Sequence, residues 1–241
     1  PKVGDKVIIN ENMITEILPR KNDLIRPYVS NVDKALIVTS LVEPDLNLNL
    51  LDRIISNVEF NDIEAILIFS KADLVKNLES FHKIFDYYRS INYKVYLLPN
   101  DAIEIKKEIQ NNICVLAGQS GVGKSTFVNL LSNLNIKTDN ISKALGRGKH
   151  TTRHTELLKI EDAWLADTPG FGTLDLDMSL VDLSHSFVEF FNTKCKFNGC
   201  LHINEPSCMV KEKVNNDEIL KSRYDNYLSF VKEIKDKPKK Y

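Results

Sequence analysis

Gly118-Gln119-Ser120-Gly121-Val122-Gly123-Lys124-Ser125 leaves the backbone fewer options than any other part of this 241-residue chain. Two glycines separated by four residues, then Lys and Ser, form a loop whose N–H groups can wrap an anion. Residues 113–117 before it are β-branched-rich and apolar, and 126–134 after it have the apolar spacing of a helix. A strand-loop-helix of this kind adds the helix dipole to the N–H groups facing a phosphate. Lys124 would then contact β- and γ-phosphates, and the Ser125 hydroxyl would ligate Mg²⁺. Gly118, Gln119, Ser120, Gly121, Val122, Gly123 and Thr126 would complete the nucleotide cradle. A glycine-rich turn with a solvated lysine is the plainer reading, and the strand and helix on either side speak against it.

Composition narrows the class. The chain is 43% hydrophobic and 27% charged with net charge −1, proportions of a globular protein rather than of a disordered one. Apolar runs stop at five residues, where a bilayer span needs roughly 20, so no membrane partner is expected. The first 28 residues interleave five basic with four acidic side chains, without the apolar stretch of a secretory signal. A cytoplasmic protein is expected, and its four cysteines then favour metal or inert thiols over disulfides.

Along the chain, candidate strands at 35–38, 65–69, 95–98, 113–117, 157–160 and 163–166 alternate with candidate helices at 47–58, 76–90, 101–110 and 124–134. Solid apolar runs separated by helices predict an α/β protein with a parallel sheet covered on both faces. Further helices are expected at 180–192 and 216–234. The first 27 residues hold only two short strands and a turn around Pro19–Asp23, too little to bury a core.

Three more segments carry chemistry. Asp167-Thr168-Pro169-Gly170 closes the strand 163–166, where Asp167 can hold Mg²⁺ and the Gly170 N–H can reach a γ-phosphate. Ser70-Lys71-Ala72-Asp73 follows another strand. In guanine-nucleotide proteins an Asn/Thr-Lys-x-Asp loop reads the base: the carboxylate accepts from guanine N1 and N2, a donor pair adenine lacks. Cys195, Cys200, His202 and Cys208 lie within 14 residues and suit a closed, structural tetrahedral zinc site. Cys114, inside a core strand, reads as inert packing. Between the phosphate loop and Asp167, Lys143, Arg147, Lys149 and Arg153 fall in a stretch without acids. A solvated basic loop is the bland reading. The position suggests a switch whose threonine completes Mg²⁺ coordination and whose basic residues meet phosphates.

The base-reading loop here precedes the phosphate loop, the reverse of most GTPases, so the order is that of a circular permutation. With that order, Arg26-Pro27, Asn31-Val32-Asp33, Gly146-Arg147-Gly148-Lys149-His150-Thr151-Thr152, 167–171 and Glu205-Pro206 within the Cys/His segment complete a pattern. The chain resembles the circularly permuted ribosome small-subunit GTPases of the RsgA (YjeQ) family. The resemblance implies a partial N-terminal OB-fold (1–27), a permuted P-loop GTPase domain (28–178) and a C-terminal helical zinc-binding domain (179–241). It implies hydrolysis of GTP to GDP on the small ribosomal subunit, in contact with its rRNA; a monomer is expected. Lys71 and Asp73 would read guanine, Thr152 would be the switch threonine on Mg²⁺, and His150 would match a proposed catalytic histidine. Ser70 stands where Asn or Thr is usual, and Phe171 stands where many GTPases place a water-orienting Gln. After Leu98, Pro99-Asn100-Asp101 shows no Ser-Ala base-backing loop. Two readings compete with this one: a P-loop ATPase or small-molecule kinase, and a zinc-stabilised RNA-binding module with a vestigial pocket. Intact Lys124, Ser125 and Asp167 speak against the second.

Overall fold

The computed structural model describes residues 1–25, 28–132, 157–167 and 175–237. Its centre is a six-stranded sheet in the order β7-β6-β5-β8-β10-β9. The strands are β5 (Lys34–Ser40), β6 (Glu64–Ser70), β7 (Lys94–Leu97), β8 (Ile113–Ala117), β9 (Leu157–Ile160) and β10 (Ala163–Asp167). All pair in parallel except β9, which returns antiparallel to β10 through a tight turn with Glu161 at positive φ. The sheet is therefore mixed, with the parallel part where solid apolar runs lead one to expect it.

Successive residues of those runs divide between two cores. Leu36, Val38, Ile66, Ile68, Cys114 and Leu116 pack with α3 (Ala102–Glu108) and α4 (Lys124–Ser132). Ala35, Ile37, Leu67, Phe69, Val115 and Ala117 face the opposite way, against α1 (Leu48–Phe60) and α2 (His82–Ser90). A strand buried on both faces needs apolar residues at every position, and that is why these segments do not alternate.

The second core continues into the C-terminal helices. Helix 180–192 of the sequence reading is two helices, α5 (Leu180–His185) and α6 (Val188–Phe191), the first opened by a reciprocal Ser179–Asp182 capping box. Helix α7 (Met209–Asn215) was not legible in the apolar spacing, and α8 (Lys221–Asp236) starts later than the expected 216. At the N-terminus, β1 (Val7–Asn10) and β2 (Met13–Ile17) form a hairpin over Glu11 and Asn12, both at positive φ as a two-residue hairpin turn requires. A second pair, β3 (Asp23–Leu24) and β4 (Val29–Ser30), leads to β5. Asn22 ties this junction by exchanging two side-chain hydrogen bonds with the Val32 backbone, each 2.8 Å. Among the described residues no helix is long and apolar enough to cross a membrane.

Candidate functional site

The phosphate-loop residues sit at the carboxyl end of β8, in the middle of the sheet. Gly118 turns the chain at φ +134°, and a Cβ there would lie 2.1 Å from the Val38 carbonyl oxygen, so only glycine fits against β5. Lys124 opens α4 and is buried; its ammonium folds back over the loop and donates to the Gly118 and Gln119 carbonyls, both at 2.6 Å. Ser125 is half-buried and Thr126 exposed in the first turn of α4.

The strand order brings the expected base loop beside this cradle. β6 lies one strand beyond β5, and it ends at Ser70. Ser70 is 4% exposed, and its hydroxyl donates to the Val122 carbonyl at 2.6 Å. Ser70 and Val122, 52 residues apart in sequence, are thus joined by the hydroxyl of a residue expected to bind the nucleotide. Lys71 takes a left-handed conformation at φ 60° and donates its ammonium to the Glu43 carbonyl. Asp73 is exposed in the short 3₁₀ turn Ala72–Leu74.

The turn after β7, which sequence reading left unassigned, lies against the base loop. The Ala72 N–H donates to the Leu98 carbonyl at 3.1 Å, and the Leu98 N–H donates to the Phe69 carbonyl at 2.9 Å. The Asp101 carboxylate accepts from the Leu97 N–H at 2.7 Å and fixes the turn. Its position directly after β7 was the available signal. Across the sheet, Asp167 ends β10 in register with Leu116 of β8, so the chain leaves that strand beside the phosphate loop. His150, Thr152 and Gly170 lie outside the described residues.

A second site stands apart from the cleft. Donor atoms of Cys195, Cys200, His202 and Cys208 all lie within 4.8 Å of one another. The sulfurs of Cys195 and Cys200 are 3.9 and 3.8 Å from that of Cys208, and His202 Nδ1 is 3.5 and 3.4 Å from Cys195 and Cys208. A tetrahedral zinc ion with ordinary bond lengths requires sulfurs about 3.8 Å apart and a nitrogen about 3.5 Å from each, so the cluster has the size of a metal site. Without a cation, burial and then the neighbouring thiols push Cys200 up to about 12, while burial holds His202 toward its neutral form. A divalent cation is what would make thiolates of this set. The Glu205 carboxylate shapes the loop by accepting from the Leu201 and Ile203 N–H groups at 2.9 and 2.7 Å. Cys114 is buried, and burial pushes its thiol up to about 12, in keeping with inert packing.

Sequence comparison places this architecture. The model of the RsgA GTPase family matches residues 17–177. The chain belongs to that family. A small ribosomal subunit biogenesis GTPase RsgA of Halalkalibacterium halodurans is 44% identical, over all of this chain and 87% of that protein. The protein of the same name in Bacillus subtilis is 42% identical over all of this chain and 86% of its own length. Among solved structures, YloQ, described as a circularly permuted GTPase, superposes with a TM-score of 0.83 at 36% identity, covering 100% of this chain and 83% of that one. YjeQ from Thermotoga maritima gives 0.78 at 31%, covering 93% and 79%. The order of loops around the RsgA-type sheet, with 70–73 ahead of 118–125, is accordingly that of a circularly permuted GTPase.

Proposed function

We propose that this chain hydrolyses GTP to GDP and phosphate, and that it does so on the small ribosomal subunit during late maturation, in contact with rRNA, as a cytoplasmic monomer. The observation that carries the reading is the bond that joins the two loops, from the Ser70 hydroxyl to the Val122 carbonyl, with Lys71 and Asp73 following on one loop and Lys124 on the other. The names of the relatives support the ribosomal part. We read residues 1–27 as the closing part of an OB-fold, 28–178 as the permuted GTPase domain and 179–241 as a zinc-binding domain.

In this reading Asp73 accepts the guanine N1 and N2 protons, with the Lys71 stem along the ring. Backbone N–H groups of 118–126 hold the phosphates. The Lys124 ammonium exchanges the Gly118 and Gln119 carbonyls for phosphate oxygens, a trade of neutral for anionic acceptors that favours the bound state. Ser125, Thr152 and Asp167 would hold Mg²⁺, which supplies charge neutralisation of the phosphates. Water adds in line to the γ-phosphorus as the bond to the bridging oxygen breaks. With Phe171 unable to orient that water, His150 takes the role once the subunit is bound. Cys195, Cys200, His202 and Cys208 would hold one structural zinc ion.

Calorimetry with GDP, GTP and ATP tests nucleotide identity. Guanine nucleotides should bind and ATP should not; Lys124→Ala should lose binding, and Asp73→Asn should shift preference to xanthine nucleotides. Equal binding of ATP, or indifference to Asp73→Asn, would reject guanine recognition.

A further inference from the structure

Helix α1 has two unlike neighbours. Near its N-terminus, Leu50, Leu51 and Ile54 face Gly118, Gln119 and Val122 of the phosphate loop across a small pocket too narrow for a nucleotide, so α1 backs the loop. Along its flank it lies on α8 through contacts that are polar and buried. Asp52, on α1, accepts from Arg223 Nη1 at 2.6 Å, from the Tyr88 hydroxyl at 2.6 Å and from the Asn226 amide at 2.7 Å. Both Asp52 and Arg223 side chains are 1% exposed. Arg223 also pairs with Glu189 of α6, through Nε and, at 3.2 Å, through Nη2, and its guanidinium lies 4.6 Å from the Phe187 ring. Farther out, Arg53 forms a two-bond ion pair with Glu233. The same α8 grips the thiol–imidazole loop: the Tyr224 hydroxyl donates to the His202 carbonyl at 2.7 Å, and that of Tyr227 donates to the Leu201 carbonyl.

Packing alone does not call for this arrangement, since apolar side chains of similar volume often stabilise such a site as well or better. What a buried charge network adds is intolerance of slippage. A shift of α8 along α1 that broke the contact would strand a carboxylate or a guanidinium without solvent. We infer that Asp52 and Arg223 act as positioning residues, latching α1 and α8 into one cooperative body, so that nucleotide held by the phosphate loop that α1 backs stabilises the C-terminal helices and the loop they hold. By linkage, a partner seated on that loop changes nucleotide affinity by the same factor. This route is separate from the direct chain connection after Asp167, and it rests on the nucleotide reading above.

Amide hydrogen exchange on the full chain, purified without chelator, with and without GDP, tests it. GDP should slow exchange in 118–126 and also in 195–208 and 221–236. Asp52→Asn should keep the first protection and lose the second. Protection confined to 118–126 in the unaltered chain, or an unaltered response in Asp52→Asn, would overturn the latch. If GDP protects no segment, the nucleotide reading falls and the latch with it. Should Asp52→Asn fail to fold, Glu233→Gln, at the accessible end of the same contact, should reduce the GDP protection of 221–236, and no reduction there would equally overturn it.

Discussion

Ser70 shows how one atom changes a residue's job. Its hydroxyl proton goes to the Val122 carbonyl, so one of its roles is to set the spacing between two loops, while its oxygen can still accept. Ser70→Ala leaves that carbonyl without its partner, at a cost of about 1–3 kcal/mol. We expect weaker GDP binding by calorimetry and a lower Tm, both largely restored in Ser70→Thr, which keeps the hydroxyl. Glycine positions in the loop should differ sharply. Gly118→Ala drives a methyl into the Val38 carbonyl and should abolish nucleotide binding. Gly121 has only Pro44 Cδ, at 3.9 Å, near its added Cβ, so Gly121→Ala meets backbone strain alone and should retain measurable affinity.

At the scale of elements, charge placement separates the helices' roles. The Arg223 guanidinium serves two buried carboxylates, and although burial opposes its charge, Glu189 and Asp52 hold it well above the usual value. One cation cannot neutralise both, and burial pushes the Asp52 carboxyl upward against the pull of Arg223. Arg223→Met should therefore cost about 3–5 kcal/mol by stranding two carboxylates, and Asp52→Asn clearly less, as chemical denaturation would show. The N-terminal pairs answer to pH. The Arg20 guanidinium beside Asp5 holds that carboxyl well below the usual carboxylate range. A lowered folded value means the stabilisation is complete above the unfolded value near 4 and fades as pH falls below it. Limited proteolysis should cut residues 1–30 faster on acidification through that range, and Asp5→Asn should reduce the pH dependence, leaving the part due to Asp23 with Lys2 and Arg20, while weakening the segment at neutral pH.

On the scale of the molecule, the parts imply dependence on partners. Turnover by the free chain should be slow, and small ribosomal subunits should raise it in unaltered protein but far less in His150→Ala; fast turnover indifferent to both would reject the assigned role. If Cys195, Cys200, His202 and Cys208 hold a metal, a chelator at neutral pH should destabilise the protein, read as a fall in Tm. A loss of about 3 kcal/mol would lower Tm by roughly 6–12 °C.

Much of this was legible beforehand because it is local. Runs such as 65–69 and 113–117 identify strands buried on both faces, and Gly118, Gly123, Lys124 and Ser125 identify their loop, because backbone freedom and charge are properties of consecutive residues. Cys195, Cys200, His202 and Cys208 were readable for the same reason, as close spacing already confines their donor atoms. The break at Ser186–Phe187 and the helix Met209–Asn215 were not readable, since each follows from what the segment packs against. Nor could spacing reveal that Ser70 reaches Val122, or that Asp52 and Arg223 meet across 171 residues. Sequence determined which residues have the chemistry to hold a phosphate, a purine and a metal. Only the tertiary structure decided which of them meet, because strand order and helix packing set distances that chain separation leaves open.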